Sequence, residues 1–368
     1  MGNLYQNNLD LERTPSYINE INEKSRKVLL GNGDIAITLT GTNNKRDFGY
    51  SYLFTTEQNL LLNQRCGLIR TKHNPYFILN LIKTKVFLDQ FFESSTGGTG
   101  NQANVSIKSM ELFSVRIPII EEQNKIGELL HLLDERITTQ SKIIEKYESL
   151  IKGIGNKLFS FKMRFKTNDG NDFPSWKTKS FENIGKTFSG LSGKAKEDFG
   201  IGKPYIQYKQ VFDSPQIQIQ NCGLVNVSDS ENQNNVKYGD ILFTVSSETP
   251  NEIGMSSVLL DEVDEMYLNS FCFGYRLSSF EVLSPLYASY FFRDSSFRNK
   301  VVKIAQGSTR YNISKSELIK LEISLPSIEE QARIASFLSA VDEKIKNEKE
   351  ILDLYLIQKS YLLRQMFI

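Results

Sequence analysis

VRIPIIEEQNKIGELLHLLDERI (residues 115–137) and ISLPSIEEQARIASFLSAVDEKI (residues 323–345) are two versions of one segment set 208 residues apart, and the match runs without a gap from 115–159 onto 323–367. Pro118 answers to Pro326, Glu121-Glu122-Gln123 to Glu329-Glu330-Gln331, and Asp134-Glu135 to Asp342-Glu343. Self-similarity at a fixed offset means that one structural unit is used twice. Upstream, Gly33-Asp34-Ile35 pairs with Gly239-Asp240-Ile241, and Leu62-Asn63, Cys66 and Arg70 pair with Leu268-Asn269, Cys272 and Arg276, all at offset 206. Asn104-Val105-Ser106 pairs with Asn312-Ile313-Ser314. The chain is two copies of a mixed globular part followed by a long helical part. The first copy is expected to lack its front, because the counterpart of Trp176 falls about thirty residues ahead of Met1.

In the helical part, positions 126, 130, 133, 137, 140, 144, 147, 151, 154 and 158 alternate four and three apart, as the buried seam of a coiled coil does. The 208 offset places the same seam at Ile334, Leu338, Val341, Ile345, Glu348, Leu352, Tyr355, Lys359, Leu362 and Met366. Both copies carry a polar residue at the same seam position, Gln140 and Glu348. If the helices pack antiparallel, these two meet, and a polar layer of that kind fixes register. Ser327 followed by Glu330 reads as a capping box. A helix of about 40 residues is roughly 60 Å long.

The globular parts read as short strands and turns. Residues 34–40 and 240–246 are expected strands after Gly-Asp turns, and residues 205–212 another, its later part resembling the start of the chain. Helices are expected to begin at Pro75 and Pro285, the favoured first-turn position. The expected class is α+β.

The 368 residues suggest two domains, and 40% hydrophobic with 24% charged residues is the composition of folded globular protein, which excludes disorder for most of the chain. No apolar run is long enough to cross a bilayer and the first residues lack signal-peptide features, so no membrane partner and a cytoplasmic location are expected. Cys66, Cys222 and Cys272 are too scattered for a local disulfide framework or C-x-x-C metal site. The formal net charge is only +1, but residues 160–212 hold ten Lys or Arg against five Asp or Glu, and local excess is what a polyanion meets.

Catalytic signatures fail on inspection. Asn74-Pro75-Tyr76-Phe77 superficially resembles the Asn-Pro-Pro-aromatic loop of adenine methyltransferases, but the second proline is absent. Its repeat partner Ser284-Pro285-Leu286-Tyr287 keeps only the helix-starting proline, which favours a structural role. Gly185-Lys186-Thr187 lacks the glycine that a phosphate-binding loop requires at position 180, where Ser180 stands. His73 and His131 lie apart in sequence, His131 on the expected coiled-coil helix, and a surface role is expected for them in place of a metal or base role. No catalytic, metal-binding or cofactor-binding residue is assigned.

Polar and basic residues cluster at turns that the repeat makes equivalent. Copy one offers Thr42, Asn43, Asn44, Lys45 and Arg46 directly after a strand; copy two offers Ser246 and Ser247 at the matching place, with Lys194, Lys203, Gln207 and Lys209 before and Arg310 and Tyr311 after. Lys and Arg neutralise phosphates, and Asn, Gln and Arg carry the paired groups that read base edges in the major groove. One by one these are ordinary solvated loops. Different loops on a duplicated frame, however, suit a bipartite, asymmetric DNA site.

The paired Pro-x-x-Glu-Glu-Gln helix entries, together with Asp172-Phe173-Pro174-Ser175-Trp176 at the start of the second unit, resemble the specificity subunit of type I restriction-modification enzymes over essentially the whole chain. The resemblance implies two pseudo-symmetric target recognition domains of mixed α/β structure, joined by two long antiparallel coiled-coil helices whose length sets the gap between half-sites. It places the first recognition domain at 1–115, a central helix at 116–160, the second recognition domain at 161–325 and a C-terminal helix at 326–368. It implies double-stranded DNA as a partner, two modification subunits that bring S-adenosylmethionine and methylate adenine, and two restriction subunits that use ATP and Mg, with no catalysis or cofactor in this chain. Two other readings remain at this point: a coiled-coil scaffold that binds proteins only, and a methyltransferase resting on Asn74 to Phe77.

Overall fold

The computed structural model describes residues 2–42, 44–55, 59–97, 101–307 and 309–367. Its two longest elements are helices at Ile120–Phe159 and Ile328–Met366. All twenty expected seam positions are buried or half-buried, while the faces between them are largely exposed. The chain divides into two compact units, residues 1–144 with 348–368 and residues 145–347, so each unit takes a part of both long helices.

In the first unit the helices run antiparallel, since Asp134 meets Lys359 and Gln140 meets Glu348. The Gln140 amide donates to the Glu348 carboxylate and, at 3.0 Å, to the Glu348 backbone carbonyl, both side chains being 8% exposed. The globular part is built on an antiparallel sheet in the order Ser51–Leu53, Ile35–Thr38, Cys66–Ile69. Against it pack the helices Pro75–Leu81 and Lys85–Glu93, which contribute Phe77, Phe87 and Phe91 to a core closed by Ile126 and Leu130 of the long helix.

The second unit repeats the register. Ile241–Thr244 lies antiparallel to Cys272–Leu277 with Thr244 opposite Cys272, as Thr38 lies opposite Cys66 in the first. Gly185–Ser189 and Ser256–Val258 extend this sheet to four strands. The helix Pro285–Phe291 packs on it, and its core includes Ile334 and Leu338 of the second long helix. A further strand, Glu322–Leu325, pairs with Lys177–Ser180 just ahead of that helix.

One polar device holds both sheets. Arg70 Nε donates to Asp34 at 3.1 Å and Arg276 Nε to Asp240 at 2.8 Å, while their Nη2 groups bond the carbonyls of Leu29 and Asn235. The preceding Gly33 and Gly239 have φ of 86° and 81°, a left-handed turn that only glycine enters at no steric cost. Burial pushes the Asp240 carboxyl up despite its arginine.

The Pro-x-x-Glu-Glu-Gln motif is a joint. Gln123 donates to the Pro118 carbonyl at 2.7 Å and accepts from the Asn74 N–H at 3.2 Å, which ties the linker and the start of the domain helix to the long helix. Gln331 does the same with Pro326 at 3.1 Å and Ser284 at 2.9 Å. Both glutamines are buried.

Two sequence expectations are corrected. Residues 205–212 do not form one strand: the strand Phe199–Ile206 ends and a helix Tyr208–Asp213 follows. Arg293 explains the switch, because its guanidinium donates to the carbonyls of Val211, Phe212 and Ser214 at 2.7–2.9 Å, a cation on the open end of the helix. The capping box at Ser327 is only half formed. Ser327 Oγ accepts from the Glu330 N–H at 3.3 Å, but the fully buried Glu330 carboxylate turns away to Arg164 and to the Trp176 indole N–H at 3.1 Å.

Candidate nucleic-acid interface

In each unit the strand that follows the Gly-Asp turn, Ile35–Thr38 or Ile241–Thr244, runs on into a short pair beside the polar loops. In the first unit Thr40–Thr42 pairs with Gln102–Asn104, Thr40 opposite Asn104; in the second Ser246–Ser247 pairs with Tyr311–Asn312, Ser246 opposite Asn312. The two registers are equivalent under the repeat, so the loops sit at matching places on matching frames.

In the first unit Thr42 is held through its backbone N–H by the Asp47 carboxylate. Asn44, Lys45 and Arg46 are exposed beyond it. Arg46 takes a left-handed φ of 47°, and its guanidinium lies 5.0 Å from the centroid of the Phe92 ring, while Asn44 donates to Asn101 at 3.4 Å. Asn43 lies outside the described residues. Beside the loop is a cavity of about 310 Å³ lined by Tyr5, Arg13, Thr40, Thr42, Arg65 and Gln102, among others. Arg13, Arg65 and Gln102 were not among the sequence candidates; the available signal was that Arg65 falls between the repeat-matched Asn63 and Cys66.

In the second unit the structure brings three candidate segments together. Tyr208 donates its hydroxyl to the Ser246 carbonyl at 2.8 Å, which sets Gln207 and Lys209 beside the Ser246–Ser247 strand, and strand pairing adds Tyr311 and its neighbour Arg310. Gln207, Lys209 and Arg310 are exposed and Tyr311 is half-buried. Ser246 and Ser247 are themselves buried, so they support this surface from beneath and do not present hydroxyls to a ligand.

Lys194 and Lys203 are not placed with them. Lys194 is paired with Glu231 and its side chain is only 7% exposed; its ammonium holds the Glu231 carboxyl down at about 2. Lys203 is paired with Glu265, whose hydrogen bond raises the lysine above its ordinary range. Neither is a free cation in this structure: each already has a carboxylate, contributed from far along the sequence.

The rejected motif has a structural use. Asn74 caps the helix Pro75–Leu81, its Oδ1 accepting from the Phe77 N–H at 3.0 Å and its Nδ2 donating to Asn124 at 3.0 Å. His131 stacks on Tyr76 at 4.0 Å, and His73 Nδ1 lies 3.2 Å from the Gln123 amide. Among the described residues no group of three or more His, Cys, Asp or Glu is placed to hold a metal ion, and no helix is long and apolar enough to cross a membrane.

One strand-and-helix frame used twice, each copy with a part of both long helices, defines the class of protein. The chain belongs to the family of the type I restriction modification DNA specificity domain, whose model matches residues 2–149 and 156–354. It is similar to two Methanocaldococcus jannaschii proteins named as type I restriction enzyme specificity subunits. The match to MjaX is 25% identical over 300 residues, 76% of this chain and 65% of that one. The match to MjaVIII is 24% identical over 344 residues, 89% of this chain and 77% of that one. Among solved structures, the type I restriction-modification S subunit from M. genitalium shares the fold over 92% of this chain and 83% of its own, with a TM-score of 0.54 at 16% identity. A chain from a structural study of assembly and conformational transition of the type I R-M system shares it over 91% and 82%, with a TM-score of 0.55 at 17% identity.

Proposed function

We propose that this chain is the DNA-binding specificity subunit of a type I restriction-modification system, reading a bipartite duplex sequence with one face on each copy. The observation that supports this most directly is the pair of equivalent strand registers, Thr40 opposite Asn104 and Ser246 opposite Asn312, which carry different exposed polar residues. Equivalent frames with different tips suit two unlike half-sites, and the exposed cations Lys45, Arg46, Lys209 and Arg310 would supply the phosphate contacts that position a duplex. In this reading two modification subunits dock on the chain and bring S-adenosylmethionine for adenine methylation. Two restriction subunits bring the ATP and Mg²⁺ chemistry, and the chain itself holds no cofactor and works in the cytoplasm. The test is selection from randomised duplex DNA by the chain assembled with its modification subunit, at two salt concentrations. A split motif with a fixed gap and binding that weakens with salt is the expected result. Retention of no motif, with no salt dependence, sinks the proposal in favour of a protein-only scaffold.

A further inference from the structure

Between the matched pairs Asn63/Asn269 and Cys66/Cys272 the two copies differ: Gln64-Arg65 in the first stands where the second has Ser270-Phe271. The backbone around these residues is the same in both. The Arg65 N–H donates to Asn63 Oδ1 at 3.0 Å and the Phe271 N–H to Asn269 Oδ1 at 2.9 Å. The Cys66 N–H bonds the Asn63 carbonyl at 2.9 Å and the Cys272 N–H the Asn269 carbonyl at 3.0 Å. The carbonyl of Arg65 accepts from the Leu39 N–H at 2.9 Å, and that of Phe271 from the Val245 N–H at 3.0 Å. Leu39 and Val245 in turn accept from Val105 and Ile313 at 2.9 and 3.0 Å.

Each tip is thus pinned, by its own amide and its own carbonyl, against the point where the core strand passes into the loop-bearing strand pair. The side chains are left outside. Phe271 is 60% exposed, an apolar ring held in water on a rigid backbone. Arg65 is exposed, makes no ion pair among the described residues, and lines the cavity that Gln102 and Thr42 also line. A frame that uses four matched hydrogen bonds to locate one position, and then carries a different side chain there in each copy, is built for a contact whose partner differs between the copies.

We infer that Arg65 and Phe271 are specificity-determining residues of the two copies, each reading one base pair of its own half-site: Arg65 a guanine, Phe271 a thymine methyl. This rests on the DNA-reading function proposed above. The guanidinium offers two parallel N–H donors, the match for guanine O6 and N7 in the major groove, whereas a phenyl ring has no polar group and its favourable major-groove contact is the thymine methyl.

The test is selection from randomised duplex DNA by the full chain assembled with its modification subunit, comparing the unmodified chain with Arg65→Ala, Arg65→Gln and Phe271→Ala. Arg65→Ala should cut the preference for guanine at one position of one half-site roughly 5- to 150-fold and leave the other half-site unchanged. Arg65→Gln should turn that preference toward adenine, whose N6 and N7 match a side-chain amide. Phe271→Ala should relax a thymine in the opposite half-site. Both residues are exposed, so the variants should melt with the unmodified chain. A split motif that all variants retain overturns the inference while sparing the proposed function. So does uniform weakening across all sequences by Arg65→Ala, which marks a phosphate contact. If the unmodified chain selects no motif, both fall together.

Discussion

Gln140 and Glu348 stand at the same position of the two copies, and in the folded chain they touch: the amide of one donates to the carboxylate and backbone carbonyl of the other. A residue that meets its own counterpart marks the level at which the antiparallel helices are in register. Gln140→Leu takes a donor from the Glu348 carboxylate and should cost about 1–3 kcal/mol. The double change with Glu348→Leu should recover that loss or exceed it, because a well-packed apolar pair is often at least as stable as a buried polar one. Its cost should appear as slack in register, measured as a broadened preference for the gap between half-sites. Unchanged gap preference in the double variant would rule out a register role for this layer.

The duplicated glutamates Glu122 and Glu330 should answer very differently to mutation. Glu330 is fully buried against Arg164 and Trp176, whereas Glu122 is exposed. Glu330→Ala should destabilise the second unit by about 2–3 kcal/mol, below the ~3–5 kcal/mol of a fully buried pair because Arg164 remains 29% exposed. Glu122→Ala should stay within about 0.5 kcal/mol of the unmodified chain. Denaturant titrations of the two variants decide this, and equal effects would refute the contrast.

Lys83 should make the first unit more stable in mild alkali. Burial draws its ammonium down to about 8, with Lys359 adding to the effect and Asp134 opposing it. The unfolded chain holds that proton until about 10.4, so between roughly pH 8 and 10 the unfolded state binds more protons and this group's contribution rises with pH. Below pH 8 the contribution is flat and unfavourable. Lys83→Met should remove the rise and stabilise the unit at pH 7 by up to about 3 kcal/mol. Identical pH profiles for the two chains would contradict it.

The lysines should separate by whether they already have a carboxylate. Lys209→Ala and Arg310→Ala should weaken DNA binding across all sequences and each lower the salt slope by about 1. Lys194→Ala, which removes a cation already committed to Glu231, should leave the slope where it was. A fall in slope for Lys194→Ala would mean that the ion pair opens on binding.

Asn74→Ala should cost about 1 kcal/mol through loss of the helix cap, with methyl transfer by the assembled complex unaffected per folded molecule. Selective loss of methyl transfer would reinstate a chemical role.

The long helices, their seam and the meeting of Gln140 with Glu348 were legible in the sequence because period and offset are properties of the chain itself. So were Gly33 and Gly239, and the helix starts at Pro75 and Pro285. What escaped depends on partners far along the chain. Residues 205–212 carry β-forming residues, yet Arg293, some eighty residues on, caps them as a helix. Lys194 and Lys203 look like free cations until Glu231 and Glu265 are brought beside them. Arg65 and Phe271 carry no repeat signal themselves, because self-similarity marks the positions that match between the copies and these two differ.

The buried glutamines at the helix entries carry one more consequence. Gln123 and Gln331 each bind a linker carbonyl and the amide of the residue that caps a domain helix, so one side chain joins three segments beside the apolar contacts that Ile126 and Leu130, or Ile334 and Leu338, make with the domain. Loss of the amide would act as play in a joint, and any small rotation there is multiplied along the domain toward the loop-bearing strand pair. Under the proposed DNA-reading function, how sharply a base is told from its neighbour would then depend partly on tolerances at a residue with no part in the contact.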